Sequence, residues 1–157
     1  MTAIVRLGPD FSRWEDLLAL ILGAFAYMDG VIDPPSSAHR LTPISLAAKA
    51  QAEIAYAAIE GQTLLGCVFC RPEAGSLYIG KLAVAPGFQG RGAGRLLLEK
   101  AEQLARERGL PELRLETRVE LTGNHAAFAR WGFVRTGEYA HPGFDRITAI
   151  EMRKRLS

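Results

Sequence analysis

The chain has 157 residues, 48% of them apolar and 23% charged, and a formal net charge of +2. That is the length and balance of one globular domain over residues 1–157 with room for a core. So small a charge, with no basic cluster beyond Arg153-Lys154-Arg155, argues against a nucleic-acid partner.

Ala3 to Leu7 is predicted as a first strand closed by Gly8-Pro9. Asp10 or Ser12 is placed to cap a helix in which Trp14, Leu17, Leu18, Ile21, Leu22 and Phe25 recur at helical spacing. From Ala26 to Thr42 the character changes, and no helix can continue past Pro34-Pro35. A second helix is expected from Pro43, capped by Thr42, over Ile44 to Gln51. Glu53–Ile59 and Thr63–Arg71 flank the hairpin turn Glu60-Gly61-Gln62, and Arg71 to Gly75 is the next turn. Cys67 and Cys70 lie three apart in a strand, so they face opposite ways and read as buried apolar residues rather than a redox pair.

Ser76 to Val84 reads as a fourth strand. Beyond it Leu97, Ala101 and Leu104 recur at i, i+4 and i+7, and Leu98 and Ala105 widen this into a helix face that Gly109 and Pro111 end. Glu112 to Val119 alternates as a strand with Leu113 and Leu115 inward. Leu121 to Trp131 is a short helix, and strands at Phe133–Tyr139 and Ile147–Arg153 surround the turn His141-Pro142-Gly143. No basic-then-apolar leader opens Met1 to Arg6, and no apolar run approaches the ~20 residues of a membrane span, so the expected setting is cytoplasmic with no membrane partner.

The most informative stretch joins the fourth strand to its helix: Val84-Ala85-Pro86-Gly87-Phe88-Gln89-Gly90-Arg91-Gly92-Ala93-Gly94-Arg95. A helix start has unpaired N–H groups and the positive end of the dipole; glycines let backbone approach a ligand, and Arg91 and Arg95 add charge. Phosphate suits such a site. A dinucleotide fingerprint would need glycine where Arg95 or Leu97 stands, and a Walker A loop would need Gly-Lys-Ser/Thr.

Gln89-Gly90-Arg91-Gly92-Ala93-Gly94 resembles the Gln/Arg-x-x-Gly-x-Gly/Ala signature of the Gcn5-related N-acetyltransferase (GNAT) superfamily. Leu82-Ala83-Val84-x-Pro86 before it and Trp131-Gly132-Phe133 beyond it fall where that family has them. The element order β-α-α-β-β-β-α-β-α-β-β matches its α/β (α+β) fold: a mixed central sheet of about seven strands with flanking helices, strands four and five splayed to admit acetyl-CoA.

The resemblance implies an N-acetyltransferase that moves acetyl directly from acetyl-CoA, its acyl-donor substrate, to a small-molecule or peptide amine. It places the pyrophosphate on Gln89, Gly90, Arg91, Gly92, Ala93, Gly94 and Arg95, and it polarises the thioester carbonyl with backbone amides at Leu82, Ala83 and Val84. The acceptor pocket would border the loop holding Asp29, Asp33, His39 and Arg40. Homodimers built on the last strands recur in the family.

Where many members carry a tyrosine acid, four residues before Gly132, this chain has Phe128, which can pack on pantetheine but holds no proton. The thiolate then leaves unaided, its pKa of ~8.5 permitting this, or another group serves. Tyr78 stands where some relatives place a glutamate base; Tyr139 and His141 lie near the chain end. Asn124 is either a coenzyme contact or a helix cap beside Gly123, and Glu116 or Thr117 would face the acceptor. Three scattered histidines and two cysteines make no metal set, and no Ser-His-Asp or Cys-His spacing points to a covalent acyl-enzyme. Two alternatives stand beside this reading: an acyl-CoA-binding sensor, or another donor such as succinyl-CoA, for which Lys81 and Arg118 would supply the cation.

Overall fold

The computed structural model describes residues 1–157. One sheet runs through it, built from β1 (Ala3–Arg6), β2 (Ile54–Glu60), β3 (Thr63–Glu73), β4 (Ser76–Val84), β5 (Glu112–Arg118), β6 (Val134–Tyr139) and β7 (Ala149–Arg155). Its spatial order is β1-β2-β3-β4-β5-β7-β6, and every neighbouring pair is antiparallel except β4 and β5. The helices are α1 (Trp14–Phe25), α2 (Pro43–Ala52), α3 (Ala93–Glu107) and α4 (Thr122–Arg130), with short 3₁₀ turns at Ala26–Met28 and Ser37–Arg40. This is the mixed seven-stranded fold expected from the resemblance.

Period-2 alternation sorts each central strand between two cores. On one face Leu77, Ile79, Leu113 and Leu115 meet Leu97, Leu98, Ala101 and Leu104 of α3, with Phe128 of α4 and Trp131 just after it packed at the margin. On the other face Ala55, Ala57, Cys67 and Phe69 meet Leu17, Ile21 and Leu46 of α1 and α2. Each buried leucine contributes about 1.5–3 kcal/mol. Cys67 and Cys70 fall in opposite cores, and burial pushes both thiols up to about 12.

Two local details differ from the sequence expectation. Neither Asp10 nor Ser12 caps α1, whose preceding residue is Arg13 with no side-chain cap; Arg13 instead reaches the Gln62 carbonyl at 2.8 Å. The turn after β3 shrinks to Ala74-Gly75, because pairing continues through Pro72↔Leu77 and Glu73↔Ser76. Thr42 does cap α2, in a reciprocal box with Ser45.

Candidate active site

The fork in the sheet is the feature that matters for function. β4 and β5 pair only through Leu77↔Leu113, Tyr78↔Arg114 and Ile79↔Leu115. Beyond Ile79 and Leu115 they part, although β4 runs on to Val84 and β5 to Arg118. A bulge sits on β4 just past the fork. Phe69 faces Gly80 and Cys67 faces Ala83, so Lys81 and Leu82 together oppose Val68. Lys81 is the one non-glycine residue with a left-handed φ, at 48°, a conformation costing about 1–2 kcal/mol.

Past the bulge, Ala85 donates to the Leu65 carbonyl on β3 at 2.7 Å. Strand alternation therefore turns the amide of Val84 away from β3, toward the fork, while Leu82 lies in the bulge itself. The Val84 carbonyl points the same way and accepts from Gln89 Nε2 at 3.4 Å. Next comes the glycine loop. From Gln89 to Arg95 no backbone amide donates to any carbonyl or side chain, and the first bond of α3 is Leu96 N–H to the Gly92 carbonyl. Gly92 precedes the helix at φ 87°, a conformation open to glycine at no steric cost, and a Cβ there would meet nothing within 4 Å. The residues thus fit a pyrophosphate: open amides at a helix start, with Arg91 and Arg95 beside them. Arg91 rests over the Phe88 ring at 5.4 Å, and Arg95 pairs loosely with Glu99 at 3.3 Å.

Fork and loop open into one cleft of about 1390 Å³. Of the residues expected to hold acetyl-CoA or act on its thioester, all line it except Arg91: Tyr78, Leu82, Ala83, Val84, Gln89, Gly90, Gly92, Ala93, Gly94, Arg95, Asn124 and Phe128, whereas Asp29, Asp33 and His39, expected beside the acceptor, do not. Phe128 packs edge-on against Trp131 and Phe133, at 5.9 and 5.7 Å between ring centres. Asn124 is not a cap, since α4 starts at Thr122; it bonds the Tyr27 hydroxyl at 3.1 Å and ties α4 to the segment after α1.

On the wall facing α1 and α2, Tyr78 lies between the guanidinium groups of Arg71 and Arg114, 4.6 and 4.7 Å from its ring centre. Its hydroxyl donates to Glu116 Oε1 at 3.4 Å. Burial, then the Glu116 charge, pushes the phenol up to about 12, so it stays protonated near neutrality. Glu116 is the first residue of β5 beyond the fork. Strand phase, which the sequence left open, gives Glu116 the bond to Tyr78 while Thr117 is buried. His141 bonds Thr148 through Nδ1, and burial, then Arg118, lowers its pKa and favours the neutral ring. Of the loop residues, Asp29 pairs with His39 at 2.8 Å and Asp33 with Arg146 at 3.3 Å, on exposed surface; Arg40 lines the cleft.

The sequence profile of the acetyltransferase (GNAT) family matches residues 14–133, which contain both the fork and the loop. The chain belongs to that family. It is 45% identical over 62 residues to the streptothricin acetyltransferase of Streptomyces lavendulae, a match covering 39% of this chain and about a third (32%) of that relative's length. Its fold is similar to that of the PaiA N-acetyltransferase from Thermoplasma acidophilum in complex with coenzyme A, with a TM-score of 0.77 at 16% identity over 98% of this chain and 99% of that one. A nourseothricin acetyltransferase aligns at 28% identity and a TM-score of 0.60, over 66% of this chain and 65% of its own.

Proposed function

We propose that this chain, acting as a single domain, is an N-acetyltransferase that moves the acetyl group of acetyl-CoA directly onto an amine. The run of unengaged amides from Gln89 to Arg95 at the mouth of the β4–β5 fork carries this reading. The loop holds the pyrophosphate, and Phe128 covers the pantetheine. The amides of Leu82 and Val84 donate to the thioester carbonyl, where negative charge builds in the transition state.

In the reaction the acceptor nitrogen attacks the carbonyl carbon, a C–N bond forms, the C–S bond breaks, and one proton passes from nitrogen to the protein as sulfur leaves. Glu116 receives that proton, because its carboxylate stands at the fork with Tyr78 fixed as a donor to one oxygen. Tyr78 is a positioning residue in this scheme, since a phenol protonated up to about 12 is no base near neutrality. With Phe128 in the position of a tyrosine acid, the thiolate leaves without a protein proton, as a group of pKa ~8.5 can.

Thiol release from acetyl-CoA, measured over a panel of streptothricin, polyamines, amino acids and peptides, tests the assignment. Streptothricin comes first because the Streptomyces relative is named for it. Turnover should fall about 10²–10⁴-fold in Glu116→Gln with acetyl-CoA affinity kept, whereas Arg91→Glu should weaken acetyl-CoA binding itself. Tight acetyl-CoA binding with no turnover on any amine would replace this reading with that of an acyl-CoA sensor, which Phe128 alone favours. Failure of acetyl-CoA to bind would refute both.

A further inference from the structure

The cleft carries more positive charge near its fork than acetyl transfer requires. Arg40, Lys81 and Arg118 all line it, and none of them pairs with a carboxylate anywhere in the molecule. Lys81 projects from the bulge to the segment between α1 and α2, where its ammonium donates to Ser37 Oγ at 2.8 Å. Arg118, at the end of β5, donates to the carbonyls of Pro34 and Pro35. These partners are neutral oxygens, so they orient both cations without cancelling their charge. The cations also crowd one another: burial depresses the Lys81 pKa first, and Lys49, Arg40 and Arg118 lower it further against Glu53 alone. Asp33 and Glu120 act on Arg118 only from beyond ion-pair distance, and partly buried like charges with no carboxylate in direct contact favour an anion brought in from outside.

These cations are distinct from those of the phosphate loop: Lys81 is in the bulge and Arg118 is two residues beyond Glu116, so both stand where β4 and β5 have parted. Glu116 supplies the opposite sign on the same wall. One wall thus offers a carboxylate for an amine and a cationic cradle for an acid.

We propose that the acceptor is an amine that also bears a carboxylate, a molecule of amino-acid type whose acid is held by Lys81 with Arg40 and Arg118 while its amine meets Glu116. This rests on the acetyl-transfer reading above. A carboxylate could also arrive on the acyl group of a succinyl-type donor, and the two sources separate experimentally.

The test uses the full chain with acetyl-CoA and matched pairs of amino acids and their amides, comparing kcat/KM within each pair. For the acids that turn over, the acid should exceed its amide by about 10–100-fold, the range of a charge-assisted hydrogen bond. Lys81→Met should bring that ratio to near one, and Lys81→Arg should restore much of it. Binding of N-acetyl amino acids to the protein with free CoA, followed by calorimetry, reads the cradle without turnover and should weaken by a similar factor in Lys81→Met. Equal rates for acids and amides, or a ratio untouched by Lys81→Met, overturn the proposal. So does a Lys81-dependent preference for succinyl-CoA over acetyl-CoA with amide acceptors, which would assign the cradle to the donor. If no amine is acetylated while N-acetyl amino acids still bind through Lys81, the cradle stands and acetyl transfer is what fails. If they do not bind either, the cradle falls too.

Discussion

Gly66→Ala probes how tightly β3 and β4 approach one another beside the fork. Gly66 pairs with Val84, and a Cβ built on it would lie 2.6 Å from the Ala83 carbonyl oxygen and 3.2 Å from Leu97 Cδ1. Reaching an ordinary contact of 3.4 Å requires a movement of 0.8 Å (3.4 − 2.6). Backbone held by a ladder on one side and by α3 on the other yields that distance poorly. Overpacking of this kind costs about 1–3 kcal/mol, and in a chain of this size each kcal/mol lowers Tm by about 2–4 °C. Thermal denaturation followed by circular dichroism should therefore show Tm lower by about 2–12 °C. Displacement of Ala83 and Val84 should also weaken acetyl-CoA binding several-fold, the scale of one hydrogen bond. Gly8→Ala is the control, because a Cβ there meets nothing within 4 Å and its φ is not left-handed; it should lie within about 0.5 kcal/mol of wild type. A Gly66→Ala protein melting within about 1 °C of wild type would refute the claim of close approach.

Gly123→Ala should raise stability by about 0.5–1 kcal/mol in denaturant titration, since Gly123 is an exposed residue of α4 with free space at its Cβ. Glu73 and Glu151 have pKa values below the ordinary 4.5, Glu73 chiefly through its hydrogen bonds to Arg114 and Glu151 chiefly through those to Arg153. A carboxylate depressed in the folded state stabilises above its unfolded pKa and loses that contribution as pH falls through the folded one. Stability should thus decline as pH drops below about 4.5, and Arg114→Met should be less stable at pH 7 with a flatter acid limb, read from urea midpoints against pH. Tyr78→Phe should lower kcat about tenfold or less while leaving the apparent pKa values of the rate profile between pH 6 and 10 in place. A lost alkaline limb would make Tyr78 the titrating group instead.

Much of the architecture was legible because its signals are local. The α3 stripe, the Thr42 cap, the alternation at Leu113 and Leu115 and the glycines from Gly87 to Gly94 each act within a few residues. Gly80 inside a strand pattern was a readable hint of a bulge, but only pairing with β3 shows that Lys81 and Leu82 share one partner. Glu116 and Thr117 could not be separated because a one-residue change of phase exchanges the faces of a strand. The partners of Asp29, Asp33 and Asn124 are set by tertiary contacts: Asn124 meets Tyr27 across the cleft, and Asp33 meets Arg146 from the far end of the chain. The uncovered α1 start failed as a local prediction because Arg13 is drawn to the β2–β3 turn.

The fork also has a bearing on solubility. Two strands that part inside a sheet expose main-chain donors and acceptors in the same way as the rim of a sheet, and such a rim recruits stray β-segments. The outer strands of this molecule are ordinary rims; the fork is a third, inside the fold. Its defences match those found on rims elsewhere: a bulge that spoils the spacing and a lysine directed across the approach. Removing the charge at Lys81 would therefore leave an inner rim open to another chain. Preparations of a Lys81→Met protein should be watched for self-association, because clumping would imitate a loss of acceptor affinity.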